Sequence, residues 1–153
     1  MGLTRKAEYG IRGMLFLAKQ QEGEYIMLDA ISTEVDAPRP FLSKVLQALA
    51  KKGLIISTRG VGGGFCLARP PEQITLCEIV EAIDGPIMPN QCLMGEGVCS
   101  FQRTCTVHPV WRRVQSVTRG ILQEVTLKTL IQDQALGTGH QAPGKGHIPL
   151  PRA

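Results

Sequence analysis

The sequence lacks the features that would place it in a membrane, on a secretion route or among enzymes. No apolar run is long enough to cross a bilayer, and the N-terminus has no charged segment followed by an apolar one. The sequence also contains no nucleophile elbow, no paired carboxylates suited to a pocket and no cofactor fingerprint. We therefore expect a cytoplasmic protein that contacts no membrane and is not an enzyme.

Acidic residues are also missing from one continuous stretch. Residues 37–71 contain no Asp or Glu, whereas the whole chain has 13 acidic residues and a formal net charge of +4. The basic residues of this stretch are Arg39, Lys44, Lys51, Lys52, Arg59 and Arg69. Such a concentration of positive charge favours an anionic partner and is typical of a surface that binds phosphates.

Helical patterns and turn signals alternate through the first half of the chain. A first helix is predicted from the N-cap Thr4 to about residue 20, and a second from 28 to 35. The prolines at 38 and 40 break the chain and open a third helix over 40–52, which Gly53 ends. Two β-prone runs around the glycines at 60–64 then predict a hairpin.

Three helices followed by a hairpin predict a winged helix-turn-helix, a mainly α fold with a small β-hairpin wing. In such a domain the third helix enters the major groove and the wing follows the backbone or the minor groove of double-stranded DNA. The residues predicted to face DNA are Arg39, Pro40, Ser43, Lys44 and Gln47 on the third helix and Arg59 on the wing. The alternative interpretation of Lys51 and Lys52 is a solvated face. The glycine run is not a nucleotide-binding loop, because it lacks the following Lys-Ser/Thr.

The second half of the chain begins with a capping box, in which Thr75 is the N-cap and Glu78 stands three residues later. After His108 and Pro109 a long helix is predicted, with a stripe formed by Val110, Val114, Val117, Ile121 and Val125. The stripe can pack on its own domain or on the same helix of a second subunit, and a two-fold homodimer suits a palindromic operator. A short helix over 127–132 follows. We predict a DNA-binding domain over 1–71, a linking helix and loop over 72–108, a dimerisation helix over 109–133 and a disordered tail over 134–153.

Three of the five cysteines lie in the loop between the last two of these regions. Cys92, Cys99, Cys105 and His108 fall within seventeen residues, and thiolates with an imidazole suit zinc, copper(I) or an iron-sulfur cluster. The gaps of six, five and two residues favour something larger than a single ion. Disulfides fit less well with an odd cysteine count and a reducing compartment. Of the other two thiols, Cys66 is interpreted as a small buried hydrophobe, and Cys77, near a helix N-terminus, as a candidate reactive thiol.

Taken together, these motifs resemble the winged-helix transcription regulators of the IscR and NsrR type over residues 1–133. The matching segments are Thr4-Arg-Lys-Ala-Glu-Tyr-Gly-Ile-Arg-Gly-Met, Ser57-Thr-Arg-Gly-Val-Gly-Gly-Gly-Phe, Ile74-Thr-Leu-Cys-Glu-Ile-Val-Glu-Ala-Ile-Asp-Gly, and the three-cysteine loop with His108-Pro-Val-Trp. The resemblance implies a bacterial DNA-binding homodimer that senses redox state, nitric oxide or iron-sulfur status through a bound cluster.

The resemblance also implies a ligand set. Cys92, Cys99 and Cys105 match the family's cluster cysteines, and His108 matches the histidine that completes a 2Fe-2S cluster in the IscR branch. The first gap is one residue longer than in that branch, and Glu8 lies where other branches draw a carboxylate from the partner, so a 4Fe-4S cluster is the alternative. Glu8 is equally interpreted as a surface charge beside Arg5 or Arg12. A second hypothesis is a zinc-stabilised DNA-binding protein without redox sensing.

Overall fold

A computed structural model describes residues 2–135 of the chain. Within that range six α-helices and one two-stranded antiparallel hairpin follow one another in the order α1, α2, α3, β1, β2, α4, α5, α6. This confirms the predicted mainly α fold with a hairpin wing. The predicted tail lies outside the described residues from position 136 onward.

Helices α1, α2 and α3 span Arg5–Ala18, Leu28–Val35 and Arg39–Lys51. The Thr4 side chain accepts a hydrogen bond from the backbone of Ala7, as expected of an N-cap. Asp36, the C-cap that follows α2, takes a left-handed conformation with φ +50°. Helix α3 begins at Arg39, one residue before the predicted start, and its Pro40 occupies the first turn, where a missing N–H is tolerated.

The wing consists of β1, Ile55–Thr58, and β2, Gly64–Leu67. Ile55 pairs with Leu67 at the base of the hairpin and Thr58 pairs with Gly64 near its tip. Ile26, in the segment before α2, forms an additional antiparallel bridge with Phe65 through two hydrogen bonds of 2.9 Å. The wing is therefore attached to the helical domain through its second strand, a connection that the sequence did not predict.

Helix α4, Leu76–Asp84, begins with the predicted capping box between Thr75 and Glu78. Helices α5 and α6 span His108–Glu124 and Leu127–Ala135. The prediction that Val125 belongs to α5 is wrong. Its backbone is extended because its carbonyl accepts a hydrogen bond from the Leu76 N–H at 2.8 Å, next to a bridge between Thr75 and Thr126.

The core lies between α1, α3, α4 and the base of the wing, and α6 packs against α1. Its fully buried side chains are Met14, Ile31, Leu42, Leu46, Leu49, Ile74, Ile79 and Leu127. Burial of this kind supplies most of the favourable free energy of folding. Among residues 2–135, no helix is both long and apolar enough to cross a membrane.

One face of α5 is left without a partner in a single chain. Val110, Val117 and Ile121 are 55%, 54% and 59% exposed, although they form the predicted apolar stripe. Helix α5 contacts α4 through a different face, which carries Gln115 and Arg119. In the single chain the stripe therefore does not pack on its own domain, contrary to that hypothesis.

Candidate nucleic-acid interface and cysteine loop

The outer face of α3 carries the predicted recognition residues. Leu42, Val45, Leu46 and Leu49 are buried, and this places the intervening polar positions on the opposite side of the helix. Arg39, Pro40, Lys44 and Gln47 are exposed, and Ser43 is half-buried. The Gln47 side-chain amide donates to the Ser43 hydroxyl at 3.3 Å. The structure thus places the five residues predicted on the third helix on one largely polar surface.

A feature of this surface that sequence reasoning missed is an acidic partner for Arg39. Asp29, in the first turn of α2, forms an ion pair with Arg39, and the distance between Asp29 Oδ1 and Arg39 Nε is 2.9 Å. The two residues are ten positions apart on different helices, so helical spacing gives no signal for the pair. It becomes visible only in the folded structure, where the Arg39 side chain reaches back to the first turn of α2.

The tip of the wing presents Arg59 and Val61 to solvent. Both residues are exposed, and Val61 has no protein surface over it among the described residues. Gly60 and Gly62 take φ values of +99° and +76°, which non-glycine residues rarely adopt, so the tight turn between the strands depends on them. Arg59 is in the position predicted for a contact with the DNA backbone or minor groove.

The cysteine loop runs between α4 and α5 with one short 3₁₀ turn at Gln91–Leu93. Cys92, Cys99 and Cys105 are free thiols of intermediate exposure. Within residues 2–135, no three or more His, Cys, Asp or Glu side chains are grouped closely enough to hold a metal ion. The predicted ligand set is therefore present in one loop but is not gathered into a coordination sphere.

His108 is the member of this set with a distinct environment. It is the first residue of α5, and its Nδ1 atom is buried without a hydrogen-bond partner among the described residues. Buried polar atoms without a partner are uncommon in folded proteins, because each loses its hydration without replacement. When it carries no proton, an imidazole nitrogen can bind a metal ion as well as accept a hydrogen bond. The donor chemistry of His108 and the three thiols fits an iron-sulfur cluster or zinc.

The root of the loop is held by polar contacts to both neighbouring helices. The Gln115 side-chain amide of α5 donates to the Ile87 carbonyl oxygen at 2.8 Å. The Arg119 guanidinium donates to the Glu81 carboxylate through Nε at 2.8 Å and Nη2 at 3.1 Å, and thereby joins α5 to α4. The Ile87 N–H also approaches the same carboxylate, at 3.5 Å. Residues leading into the loop are therefore connected to α4 and α5 together.

The end of α4 is joined in turn to the start of α1. The Asp84 carboxylate accepts hydrogen bonds from the backbone N–H and the hydroxyl of Thr4, the N-cap of α1. Gly10 of α1 faces Ile83 of α4, and a Cβ at Gly10 would collide with the Ile83 side chain. The close packing of these helices links the loop root mechanically to the domain that contains α3.

The two remaining cysteines do not contribute to the loop. Cys66 is buried in β2, which confirms its interpretation as a small hydrophobe. The interpretation of Cys77 as a reactive thiol is not supported, because the residue is buried, and burial and the nearby Glu81 carboxylate raise the pKa of its thiol above the ordinary value, although Arg119 opposes the shift. The cost of burying a thiolate outweighs the favourable helix dipole at this N-terminus.

Glu8, the alternative ligand, is exposed on the first turn of α1. No ion pair with Arg5 or Arg12 is found in the described part of the chain, so its interpretation as a paired surface charge is not supported. Glu8 belongs to no metal-binding group of the single chain either.

A helix-turn-helix with an exposed polar recognition helix, followed by a glycine-tipped wing, defines a winged-helix DNA-binding protein. Residues 3–133 match the Rrf2 family, described as iron-dependent transcriptional regulator. The chain therefore belongs to the Rrf2 family, and it is a DNA-binding transcriptional regulator rather than an enzyme.

Individual relatives agree with this assignment. The HTH-type transcriptional regulator IscR of Cronobacter sakazakii is 31% identical over 150 residues, which cover 97% of this chain and 92% of that protein. The structure of T. potens IscR is similar with a TM-score of 0.69 at 25% identity, covering 93% of this chain and 94% of that one. The structure of CymR, the global cysteine regulator of B. subtilis, is similar with a TM-score of 0.68 at 28% identity, covering 86% of this chain and 97% of that one.

Proposed function

We propose that this protein is a homodimeric regulator whose affinity for its DNA operator is controlled by an iron-sulfur cluster held in the loop 92–108. The ligands are Cys92, Cys99, Cys105 and His108 in a 2Fe-2S site, with a 4Fe-4S site that uses Glu8 of the second subunit as the alternative. The observation that carries the proposal is the buried, unpartnered Nδ1 of His108 at the end of a loop with three free thiols.

Chemistry and exposure of the loop support a cluster in preference to a simple structural turn. Met94, Val98 and Phe101 are 66%, 53% and 71% exposed, so the loop has no apolar core of its own in the described structure. A bound cluster would supply the organising centre that the loop lacks, together with an iron-sulfur core that reacts with oxidants and nitric oxide. Three thiolates and an imidazole match the softness of such a centre.

The polar contacts at the loop root provide the route from the cluster to DNA. Gln115 and the Glu81–Arg119 ion pair join the loop to both helices, and Asp84 joins α4 to the N-cap of α1. Ordering or disordering the loop would therefore shift the orientation of α4 relative to α5. In a dimer held through α5, this shift changes the spacing of the two recognition helices, and a differential of about 1 to 3 kcal/mol alters affinity roughly 5- to 150-fold.

The exposed apolar stripe of α5 supports the homodimer. Val110, Val117 and Ile121 recur at intervals of seven and four residues, so they lie along one side of the helix. Exposed apolar stripes of this kind are unfavourable in water and are typically covered by a partner. A second α5 packed against the first in a two-fold arrangement would cover both stripes at once.

Zinc is the competing occupant of the same ligands. It accepts three thiolates and one imidazole in tetrahedral geometry, and would make the loop a structural clasp without redox chemistry. The winged-helix domain and the dimer would be unchanged, but the affinity for DNA would not respond to oxidants or nitric oxide. The two occupants therefore differ in colour, metal content and sensitivity to redox conditions.

The test is anaerobic purification of the full chain, followed by a visible absorption spectrum with iron, zinc and acid-labile sulfide analysis. We expect a coloured protein with iron and sulfide, and loss of both when Cys92, Cys99 or Cys105 is changed to Ala. Cys66→Ala, outside the loop, is the matched control and should keep the chromophore. His108→Ala compared with Glu8→Gln identifies the fourth ligand, because only one of them should alter the spectrum.

The regulatory part of the proposal requires a second measurement. Operator affinity is measured for the cluster-containing protein and for the same protein after removal of the cluster, at one salt concentration. If the purified protein were colourless and contained one zinc per chain, the loop would hold a structural zinc ion and no cluster. Equal affinities with and without a cluster would refute sensing while leaving DNA binding intact.

A further inference from the structure

Arg39 and Asp29 form an ion pair at the N-terminal ends of α3 and α2. The Arg39 Nε lies 2.9 Å from Oδ1 of Asp29, and their side chains are 63% and 62% exposed. An ion pair this exposed contributes little to folding stability, because water and salt screen it. Stability therefore does not explain why a carboxylate lies beside the recognition helix.

The position of Asp29 is unfavourable for DNA binding if the carboxylate acts only as a charge. It lies in the first turn of α2 and pairs with Arg39, one of the six basic residues in the stretch 37–71, which contains no acidic residue. A negative charge at that place repels the DNA backbone and weakens binding to any sequence. A compensating role in sequence recognition would account for it.

The chemistry of the guanidinium group supplies such a role. Arginine has five N–H donors on a rigid plane, and the contact with Asp29 uses the Nε side. Because the guanidinium is planar, a contact on its Nε side is compatible with a second, bidentate contact through the two terminal nitrogens, which is how arginine reads the O6 and N7 atoms of guanine in the major groove. An arginine held by a neighbouring carboxylate loses less rotamer freedom when it binds a base.

We propose that Asp29 is a positioning residue that orients Arg39 for a bidentate contact with a guanine of the operator. The proposal rests on the proposed function, operator binding, and on the contact between Arg39 and DNA that the sequence predicts. In this role Asp29 increases the preference for the operator sequence, although its negative charge lowers the affinity for DNA of any sequence. Removal of Asp29 should therefore have opposite effects on specific and non-specific binding.

The experiment uses the full chain and two duplexes. One is selected from a randomised pool by repeated binding to the wild-type protein, and the other is a scrambled duplex of the same length and composition. Affinities for both are measured at one salt concentration for the wild type, Asp29→Ala, Asp29→Asn and Arg39→Ala. Glu34→Ala is the matched control, because it removes an exposed carboxylate from the same helix α2. Thermal unfolding verifies that each variant is folded.

We expect Asp29→Ala to bind the scrambled duplex more tightly, because a repulsive charge is lost, and to reduce the ratio of selected to scrambled affinity about 5-fold or more. Asp29→Asn keeps an acceptor oxygen for Nε and should retain part of the ratio. Combining Asp29→Ala with Arg39→Ala should reduce the ratio no further than Arg39→Ala alone, since both changes remove the same contact. Glu34→Ala should leave the ratio unchanged.

Two results would overturn the proposal in distinguishable ways. If Asp29→Ala raised both affinities by the same factor, Asp29 would be a surface charge without a positioning role. If Arg39→Ala left the base preference of the selected duplex unchanged, the contact between Arg39 and DNA would itself be wrong. Replacing each guanine by 7-deazaguanine in turn identifies the base, because affinity should fall at one position for the wild type and not for Arg39→Ala.

Discussion

Gly64 is the wing position where the structure makes the sharpest stability prediction. It is the first residue of β2, with φ +155°, and a Cβ added there would lie 2.6 Å from the Ile26 carbonyl carbon and closer still to its oxygen. The obstacle is backbone rather than a flexible side chain. Ile26 cannot retreat easily, because two hydrogen bonds of 2.9 Å hold it to Phe65. Gly64→Ala must therefore separate the wing from the segment before α2.

The magnitude follows from two contributions. Overpacking that forces backbone shifts costs about 1 to 3 kcal/mol, and a positive φ costs an L-residue about 1 to 2 kcal/mol. Gly62 isolates the second contribution, because its φ is +76° and a Cβ there meets nothing within 4 Å. Gly64→Ala should therefore lower the free energy of unfolding by about 2 to 5 kcal/mol, and Gly62→Ala by about 1 to 2 kcal/mol.

Urea unfolding followed by far-ultraviolet circular dichroism measures the difference. The wild type and both variants are compared at the same protein concentration, because the stability of the proposed dimer would depend on concentration. We expect the Gly64→Ala midpoint to fall well below that of Gly62→Ala. Equal midpoints would show that the bridge between Ile26 and Phe65 can move without loss of stability. The argument from a backbone collision at Gly64 would then be refuted.

Three further predictions concern charge and thiol chemistry. Arg59→Ala should weaken operator binding and reduce the slope of log affinity against log salt by about 0.9 per subunit, and an unchanged slope would remove Arg59 from the phosphate contact. An alkylating reagent at pH 8 should modify Cys92, Cys99 and Cys105 of the cluster-free protein before Cys77, whose thiol is buried and has a raised pKa; peptide mass mapping detects the order, and labelling of Cys77 at the same rate would contradict its burial. For Glu78, burial alone raises the pKa of the carboxyl, but hydrogen bonds from the Thr75 backbone and the Arg69 guanidinium lower it overall. Its charged form therefore stabilises the fold above the unfolded pKa near 4.5, and this contribution is lost as the pH falls through the lower folded pKa. Glu78→Gln should show a smaller loss of stability on acidification in urea titrations at several pH values, and a loss equal to that of the wild type would show that Glu78 is not responsible.

Local physical chemistry determined most of the elements of this fold. Some signals act over only three or four residues and can be recognised from the sequence. They are the Thr4 cap, the capping box of Thr75 and Glu78, and the glycines of the wing, and the structure confirms them. The buried face of α3 follows for the same reason, because helical periodicity alone separates apolar from polar positions. The candidate ligands of the cysteine loop were also recognisable from residue type and spacing, and their assembly around a metal stays a prediction.

Tertiary structure decided the features that depend on distant partners. Val125 leaves the helical conformation because Leu76, far away in the chain, hydrogen-bonds to its carbonyl. Burial beside Glu81 raises the pKa of the Cys77 thiol, which its place near a helix N-terminus does not indicate. The pairing of Asp29 with Arg39 likewise arises from the packing of α2 and α3. These effects depend on the distances between residues that are far apart in the chain and on the exclusion of water from the folded protein. A pattern of residue types along the sequence contains neither kind of information.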